Sequence, residues 1–295
     1  MTQKSSLSVV VPWSNRESLR DTLAGNQGWL TSDDVELIIV NCGGDALRLR
    51  SIVDDFQRVP MKLIELPDHK FNKSLALNIG IHASSGHTMF VLDADVILQS
   101  DPSTELMPLV DNDTFLTIAR VRESQVDEPW WKLPDDQVAG ENNFIQAMTE
   151  THSMEFRWSD GTVTRINAYR ADICDESRAG PGLIMAKREH LLRIEGYNSE
   201  LQLWGWEDND VEVRLRRVLS LKHEDFGRAL HLTHGNELRN LNGLDHRQSD
   251  FENLVRVCKR YSQGNFRGTY SADVAAWWPR AKHLGVCVPR SRGWA

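Results

Sequence analysis

The sequence lacks the motifs that assign a chain to the commonest nucleotide-binding classes. No Gly-x-Gly-x-x-Gly follows the first apolar segment, so a dinucleotide-binding fold is not predicted, and no Gly-x-x-x-x-Gly-Lys-Ser/Thr occurs, which excludes a P-loop enzyme. No apolar run approaches the length that spans a bilayer, so no transmembrane segment is predicted. One lysine precedes the first short apolar segment, and from this pattern we predict no signal peptide.

Cysteine and positive charge are also scarce. The four cysteines, Cys42, Cys174, Cys258 and Cys287, have no metal-binding spacing, so we predict reduced thiols in a cytoplasmic protein. The 295-residue chain has a formal net charge of −8, which argues against a nucleic-acid-binding protein because such proteins usually carry a basic surface. With 40% hydrophobic and 26% charged residues, the composition is that of a globular protein with a full core.

Apolar segments alternate with helical patterns through the first hundred residues. We predict strands at 7–11, 35–40, 61–66 and 89–92, separated by helices at about 17–23, 46–56 and 71–82. Such a series implies a parallel sheet with right-handed crossovers. The fold class is therefore α/β, with one mostly parallel central sheet flanked by helices.

The following residues contain more loops and fewer crossover helices. We predict a strand at 114–121, a hairpin between 154–158 and 162–168, a strand at 183–186 and a helix at 187–194 that ends at Gly196. The segment 127–136, which contains Trp130 and Trp131, follows neither period. Because loops on a rigid scaffold often carry specificity, we expect this half to select the substrate.

Two acids, Asp93 and Asp95, follow a strand that is predicted to be buried on both faces. The carboxyl ends of such strands border the ligand crevice in open α/β sheets, and residues i and i+2 of an extended chain point the same way. Two neighbouring carboxylates repel each other unless a cation lies near them, and oxygen ligands suit Mg²⁺ or Mn²⁺ bound to a substrate phosphate. The alternative is a pair of capping or loop acids.

Polar loops also follow the other predicted strands, at 13–16, 41–44 and 67–70. A nucleotide would lie at this edge of the sheet. Because no glycine-rich phosphate loop is present, the phosphates would be bound by a metal and by basic side chains such as Arg16 and Lys73. Either cation could equally lie on a solvated helix face.

Two further segments carry chemistry. Trp204-Gly-Trp206 precedes Glu207 and Asp208, which open a predicted helix that runs to about Leu219. Acids in a first turn complement the helix dipole, but indole rings beside a carboxylate also suit a saccharide, and the carboxylate could act as a general base. The segment 229–235 is a predicted strand ending in histidine. An imidazole in this segment, such as that of His231, could complete the metal site of Asp93 and Asp95, or it could form an ordinary hydrogen bond.

Five motifs occur in an order and spacing that resemble those of inverting nucleotide-sugar glycosyltransferases of the GT-A fold. They are the segments 10–16, 71–80, 92–95 and 204–208, and His234. Each motif alone is weakly specific, whereas the ordered set is specific. The sequence is similar to β-1,4-galactosyltransferases and to family 2 glycosyltransferases of the chondroitin-polymerase type, over roughly residues 7 to 240. This resemblance implies a single Rossmann-like GT-A sheet with a loop-rich acceptor side.

The resemblance also implies roles for individual residues. Asp208 would be the catalytic base, and Asp93, Asp95 and His234 would bind Mn²⁺ or Mg²⁺. Lys73 stands where an arginine is common, and Asn41 where the family often has aspartate. The implied donor-binding residues are Pro12, Trp13, Arg16, Asn41, Phe71, Lys73, Asp93 and Gly182, and the implied acceptor-binding residues are Trp204, Trp206 and Glu207.

The predicted function is metal-dependent transfer of a hexose or N-acetylhexosamine from a UDP-sugar to a hydroxyl of a glycan or other acceptor, giving a β-glycosidic bond. The predicted catalytic domain covers 1–243, with a nucleotide-sugar half at 1–110 and an acceptor half at 111–243. A C-terminal helical extension, 244–295, is expected to pack on it, although an acceptor lid or a peripheral membrane contact is an alternative use of this tail.

Two alternatives come from other functional classes. The apolar strand followed by Asp-x-Asp also resembles haloacid-dehalogenase-type phosphohydrolases, in which Asp93 would be the nucleophile. That motif normally follows the first strand of the sheet, and here three strands precede it. The second alternative is a nucleotide-sugar- or carbohydrate-binding protein without catalysis, which retention of Asp93, Asp95, Asp208 and His234 argues against.

Overall fold

A computed structural model describes residues 6–124, 148–172, 175–234 and 246–287. These residues contain eleven strands, namely β1 (Leu7–Trp13), β2 (Val35–Cys42), β3 (Met61–Leu66), β4 (Thr88–Val91), β5 (Val96–Leu98), β6 (Thr114–Glu123), β7 (Met148–Arg157), β8 (Val163–Asp172), β9 (Arg178–Lys187), β10 (Lys222–His231) and β11 (Lys282–Cys287). The predicted segment 127–136 lies outside the described residues.

Seven α-helices accompany these strands in the described ranges, namely α1 (Leu19–Leu30), α2 (Ala46–Val53), α3 (Lys73–Ala83), α4 (Arg188–Arg193), α5 (Glu207–Leu219), α6 (His246–Ser262) and α7 (Tyr270–Trp277). Short 3₁₀ or π turns follow at Asp54–Phe56, Pro102–Leu106, Met107–Leu109 and Trp278–Arg280. None of the described helices combines the length and the apolar character needed to cross a membrane.

One sheet organises the protein, in the strand order β11-β3-β2-β1-β4-β9-β6-β10-β5, with the β7–β8 hairpin beside β9. The strands β3, β2, β1 and β4 are parallel, as are β6 and β10. All residues of β1 and β2 are buried, because helices cover both faces of a parallel sheet. The predicted α/β fold with a largely parallel central sheet is confirmed.

Two apolar cores fill the faces of this sheet. One holds alternate residues of β1 and β2 against α1 and α2, including Val9, Leu23 and Leu37. The other holds the intervening residues against α3 and α5, including Val10 and Leu215. Because helices pack on both faces of the parallel strands, the loops at the carboxyl ends of these strands lie together at one edge of the sheet, and the candidate site lies there.

The C-terminal residues form the edge of the sheet that lies beyond β3, at the other end from β5. β11 pairs antiparallel with β3, and α7 packs on α3. The extension therefore contains a strand as well as the predicted helices. The predicted boundary between residues 243 and 244 lies outside the described residues, so the division into domains stays a prediction.

Candidate active site

Lys73 lies between three carboxylates at the carboxyl edge of the sheet. Its Nζ is 3.2 Å from Oδ1 of Asp93, 3.1 Å from Oδ2 of Asp208 and 4.0 Å from Oε1 of Glu207. Lys73 is the first residue of α3, whose N-terminus is capped by the side chain of Asn72 accepting from the Leu75 N–H. Three motifs that are far apart in sequence thus meet at one ammonium group.

The two acids of α5 are presented by an unusual entry into that helix. Leu203, Gly205 and Trp206 all have positive φ, at 65°, 99° and 69°. Non-glycine residues rarely adopt this left-handed conformation, so the surrounding packing must hold it. Glu207 and Asp208 follow at once, in the first turn of the helix, where the dipole favours negative charge.

Gly182 on β9 forms the wall beside this charge cluster. A Cβ atom at this position would be 2.7 Å from Oδ2 of Asp208 and 3.1 Å from Nζ of Lys73. Any side chain at this position would therefore displace the Lys73–Asp208 pair. The structure brings the predicted residues Lys73, Asp93, Gly182, Glu207 and Asp208 into one cluster, and their individual roles stay predictions.

Burial and charge shift the ionisation of this cluster. Burial would lower the pKa of Lys73, but the charges of Asp208 and Asp93 raise it well above its usual value. Burial, followed by the charge of Asp208, raises the pKa of Glu207 to about 7. Burial also raises the pKa of Asp93, against the opposing effect of Lys73. Lys73 is thus a cation that offsets part of a dense negative charge.

One oxygen of Asp208 is left without a partner. Lys73 contacts Oδ2, whereas Oδ1 is buried and has no hydrogen-bond partner among the described residues. Buried carboxylate oxygens are normally hydrogen-bonded, and an unsatisfied one needs an explanation. A substrate hydroxyl that donates to Oδ1 would supply it.

A second cluster, here called the metal cluster, consists of Asp95, His231 and His234. One ligand atom from each lies within 4.8 Å of the others. His234 Nε2 is 3.2 Å from Oδ2 of Asp95, and His231 Nε2 is 3.7 Å from Oδ1. Burial would raise the pKa of Asp95, but the hydrogen bond from His234 and nearby positive charge lower it.

The surroundings of the metal cluster fit a divalent cation. His231 Nδ1 is 2.6 Å from Oε2 of Glu123, which also accepts a hydrogen bond from Thr233. Burial would raise the pKa of Glu123, but the hydrogen bond with His231 lowers it to about 2, so this oxygen accepts and Nδ1 carries the proton. The other ring nitrogen of His231, Nε2, lies 3.7 Å from Oδ1 of Asp95 and is the atom that would bind a cation. Carboxylate–histidine pairs of this kind are typical supports of metal-binding histidines.

Asp93 does not belong to the metal cluster of this structure, and its role as a metal ligand stays a prediction. The prediction assumed that residues 93–95 continue the extended strand, so that both acids point the same way. Instead β4 ends at Val91, and the chain turns before β5 begins at Val96. Because of this turn, Asp93 contacts Lys73, whereas Asp95 contacts the histidines of the metal cluster.

Arg16 lies beside this second cluster. Its positive charge contributes to the lowered pKa of Asp95, and its Nη1 is buried with no hydrogen-bond partner among the described residues. A buried guanidinium nitrogen without an acceptor is unusual, because such donors are normally satisfied. An anionic ligand at this edge would satisfy it, which agrees with the predicted donor-binding role.

Other predicted donor-binding side chains are committed to the protein itself. Trp13 is fully buried, and its indole N–H donates to the Arg16 carbonyl. The Asn41 amide exchanges two hydrogen bonds with the backbone of Gly44. Pro12 is buried, and Phe71 packs against the second core. In this structure, Trp13 and Asn41 stabilise the loops after β1 and β2, and their polar groups form hydrogen bonds within the protein.

The two tryptophans of the predicted acceptor site differ in exposure. Trp206 is 5% exposed and packs with Val213, Val257 and Tyr261, so it offers no open face to a sugar. Trp204 is 38% exposed and lies edge-on to His246. An indole platform is therefore available at Trp204 and not at Trp206, which differs from the predicted pair.

Sequence reasoning assigned no function to Glu123, and it named His231 only as a candidate to complete the metal site, whereas the resemblance implied His234. Glu123 lies at the end of β6 and meets His231 because the two strands are parallel neighbours. The signal for His231 was its place three residues before His234 at the end of a strand. No local signal marks Glu123, since its partner is 108 residues away.

Two models of known protein families match this chain. The model of glycosyl transferase family 2 matches residues 8–173, which is more than half of the chain. The chain belongs to glycosyl transferase family 2. A second model, the N-terminal domain of galactosyltransferase, matches residues 163–235 of the glycosyltransferase, where Asp208, His231 and His234 lie. No curated protein sequence matches this chain.

Solved structures share the fold at low sequence identity. The mannosyltransferase PcManGT from Pyrobaculum calidifontis, in complex with GDP-Man and Mn²⁺, is 16% identical with a TM-score of 0.50, over 89% of this chain and 65% of that one. S. aureus TarS 1-349, in complex with UDP-GlcNAc, is 10% identical with a TM-score of 0.52, over 86% and 66%. The glycosyltransferase thus spans just under two thirds of either structure, and the likeness establishes the GT-A fold.

Proposed function

We propose that the protein is a metal-dependent inverting glycosyltransferase that moves a hexose or N-acetylhexosamine from a UDP-sugar to an acceptor hydroxyl. The observation that carries this proposal is the state of Asp208, which is paired with Lys73 through Oδ2 and has an unsatisfied, buried Oδ1. Such an oxygen is suited to take a proton from an attacking hydroxyl. The proposed division of the chain is a catalytic domain at 1–243 and an extension at 244–295.

The donor would lie between the metal cluster and Arg16. Asp95, His231 and His234 would hold Mn²⁺ or Mg²⁺, and the donor set of one carboxylate and two imidazoles accommodates the softer Mn²⁺ better. The bound cation would supply charge neutralisation for the leaving diphosphate. Arg16 would contact a diphosphate oxygen with the buried Nη1, and Lys73 would add positive charge on the opposite side.

The acceptor would approach from the α5 side. Trp204 would lie against the apolar face of its sugar ring, and Glu207 would accept or donate a hydrogen bond to a neighbouring hydroxyl. Asp208 Oδ1 takes the proton of the attacking hydroxyl as the new bond forms at the anomeric carbon, from the face opposite the diphosphate. A single displacement inverts configuration, so an α-linked donor gives a β-linked product.

Release of nucleoside diphosphate from a panel of UDP-, GDP- and dTDP-sugars tests the proposal without a known acceptor. We expect slow UDP release from one UDP-sugar, dependent on Mn²⁺ and abolished by chelator. GDP release from GDP-mannose instead would overturn the choice of nucleotide, a real alternative given the GDP-Man complex of the mannosyltransferase. An α-linked product, identified by its anomeric NMR signal, would overturn inversion.

The phosphohydrolase alternative has no support from the site. Asp93 is paired with Lys73 and lies after the fourth strand in chain order, and the family match covers this segment. Release of phosphate from a simple phosphoester, without release of nucleoside diphosphate from any sugar of the panel, would support the phosphohydrolase instead.

A further inference from the structure

A cavity of about 530 Å³ lies apart from both clusters of the candidate active site. Its lining comes from the connection after β5 and from strands β6, β8 and β10, and includes Gln99, Glu105, Arg120, Arg170, Phe226 and Arg228. This volume is within the range of small-ligand pockets in proteins. None of the residues to which the proposed reaction assigns a role lines this cavity.

The cavity lies where β10 becomes an edge of the described sheet. β5 pairs only with Ala229 to His231, so the preceding residues of β10 have no strand on that side. Arg228 is three residues before His231 on the same strand, which corresponds to about 10 Å at the rise of an extended chain. The cavity is therefore close to the metal cluster without being part of it.

Several charged side chains line the cavity. Three arginines and two acids, Glu105 and Asp225, line the cavity, and Asp175 pairs with Arg120 from outside the lining. Glu105 also accepts a backbone hydrogen bond from Asp101 at 2.8 Å. A guanidinium that has no acid partner in such a concave site would attract an anion.

The guanidinium groups are arranged in two ways. Arg170 is fixed by Asp225 at 3.1 Å and by the Ala119 carbonyl at 3.0 Å, and Arg120 is fixed by Asp175 at 3.0 Å. Arg228 is exposed and has no ion pair or side-chain hydrogen bond among the described residues. Two cations are thus held in place, which lowers the entropic cost of binding, and one is open to pair with a ligand.

An exposed aromatic ring lies beside these cations. Phe226 is a large apolar side chain on β10, and it is 45% exposed where it lines the cavity. An open ring offers a platform for the C–H face of a sugar, and the arginines and Gln99 offer planar donors for hydroxyl and acidic groups. Neither an apolar ligand nor a bare inorganic anion would use both features.

We propose that this cavity is a second saccharide-binding site, which takes a sugar residue carrying an anionic group such as a carboxylate or a phosphate ester. Phe226 contacts the sugar face and Arg228 pairs with the anionic group. Use of the site for a distant residue of the acceptor glycan rests on the proposed function, whereas binding of the sugar does not.

The test compares cellobiose with cellobiuronic acid, in which a carboxylate replaces one hydroxymethyl group, by calorimetric or NMR titration without donor or metal. We expect the acid to bind at least roughly tenfold more tightly than the neutral sugar. Arg228→Gln and Phe226→Ala should each weaken binding of the acid by roughly tenfold. The matched control is Arg58→Gln, which removes an exposed arginine elsewhere on the protein and should leave the affinity unchanged.

Each other outcome overturns the proposal. Equal affinity for the two disaccharides, or equal loss with Arg58→Gln and Arg228→Gln, would mean that no specific acidic-sugar site exists. Sensitivity to Arg228→Gln without sensitivity to Phe226→Ala, with full displacement by inorganic phosphate, would mean a simple anion site. The titration does not depend on turnover. If no UDP were released from any UDP-sugar but the acidic disaccharide still bound as expected, the result would therefore count against the proposed function alone.

Discussion

At the scale of single residues, Lys73 lets three acids share a small volume. Its ammonium lies within 4.0 Å of Asp93, Glu207 and Asp208. Removing the cation would leave three neighbouring, partly buried carboxyl groups without a compensating charge, which costs more than the loss of an exposed ion pair. The same contact orients Asp208, so that one oxygen is engaged and the other is available.

Asp208→Asn tests the proposed base. The amide is nearly isosteric but cannot take a proton, so turnover with acceptor should fall by about a hundred- to ten-thousand-fold. Donor affinity, measured by titration with the UDP-sugar identified in the release assay, should stay within a few-fold. Asp33→Asn makes the same change at an exposed loop position and is the control. Transfer at the normal rate in Asp208→Asn would show that another group is the base.

Glu207 should make folding stability depend on pH. Its pKa is raised to about 7 in the folded protein, from about 4.5 in the unfolded chain. The folded state therefore binds the proton more tightly, so this contribution is fully present below pH 4.5 and is lost as the pH rises through 7, by up to about 3 kcal/mol.

Glu207→Gln stays neutral at every pH and should flatten the dependence. The measurement is the free energy of unfolding in urea at pH 5, 6, 7 and 8. Glu189→Gln, on the exposed face of α4, serves as the matched control. An unchanged slope in Glu207→Gln between pH 5 and 8 would contradict the raised pKa.

Glu123 should tune the metal cluster through His231. Glu123→Gln keeps the shape of the side chain but replaces a charged acceptor with a neutral one, so the affinity for Mn²⁺ should fall by about 10- to 100-fold. Mn²⁺ titration followed by electron paramagnetic resonance measures this directly. If the affinity changed no more than in Glu189→Gln, the contact between Glu123 and His231 would have no influence on metal binding.

At the scale of elements, strand β9 brings backbone against the charge cluster at Gly182. Gly182→Ala would place a methyl group 2.7 Å from Oδ2 of Asp208 and 3.1 Å from Nζ of Lys73, and displace both. We expect turnover to fall by at least roughly tenfold, because small displacements of reacting groups are costly. The fold should persist, since the backbone of β9 is extended there.

Gly28→Ala is the control for that substitution. A Cβ at Gly28 meets nothing within 4 Å, and the residue lies inside α1, so alanine should leave turnover unchanged and stabilise the helix by about 0.5–1 kcal/mol. Comparable turnover in Gly182→Ala and the wild-type protein would show that the wall beside Asp208 is not required.

The elements that could be predicted from sequence are those with a strong apolar period. Strand β3 was predicted with its observed bounds, and β1, β2, β4 and α3 with small differences at the ends. Helix α1 runs to Leu30, beyond the predicted end at about residue 23, because Gly25 lies against Ile97 of β5 and does not break the helix. The polar first half of β10 has no apolar alternation to reveal it.

The site was predictable as a set of motifs and not as a set of contacts. Order along the chain predicted which residues converge, since the carboxyl ends of parallel strands share one edge. It could not predict that a turn after β4 separates Asp93 from Asp95, or that Lys73 pairs with an acid 135 residues away. Such pairings depend on the three-dimensional register of distant elements.

At the scale of the whole molecule, a buried carboxylate joins the C-terminal helix α7 to the sheet-flanking helix α3. Asp273 accepts hydrogen bonds from Asn78 at 2.7 Å, from Thr269 at 2.8 Å and from Ser199 at 2.8 Å. Asn78 also exchanges two hydrogen bonds with the backbone of Tyr197. The network spans 195 residues of sequence separation.

Asp273→Ala should therefore destabilise the protein by about 3 kcal/mol or more, because several buried donors lose their acceptor together. The free energy of urea unfolding measures the loss, and hydrogen exchange should show early opening of α7 and β11. Asp33→Ala, at an exposed site, is the control. A loss below about 1 kcal/mol would mean that water replaces the carboxylate without cost.

The pairing of β11 with β3 has a consequence for synthesis on the ribosome. Some 220 residues separate the two strands, so at roughly 5–20 residues per second β3 emerges about 10–45 seconds before its outer partner exists. During that interval the nascent chain carries a free sheet edge, which is a template for pairing with a neighbouring chain on the same polysome. Binding of a chaperone to the nascent chain would be most useful during that interval. The interval ends when β11 pairs with β3 and covers the free edge.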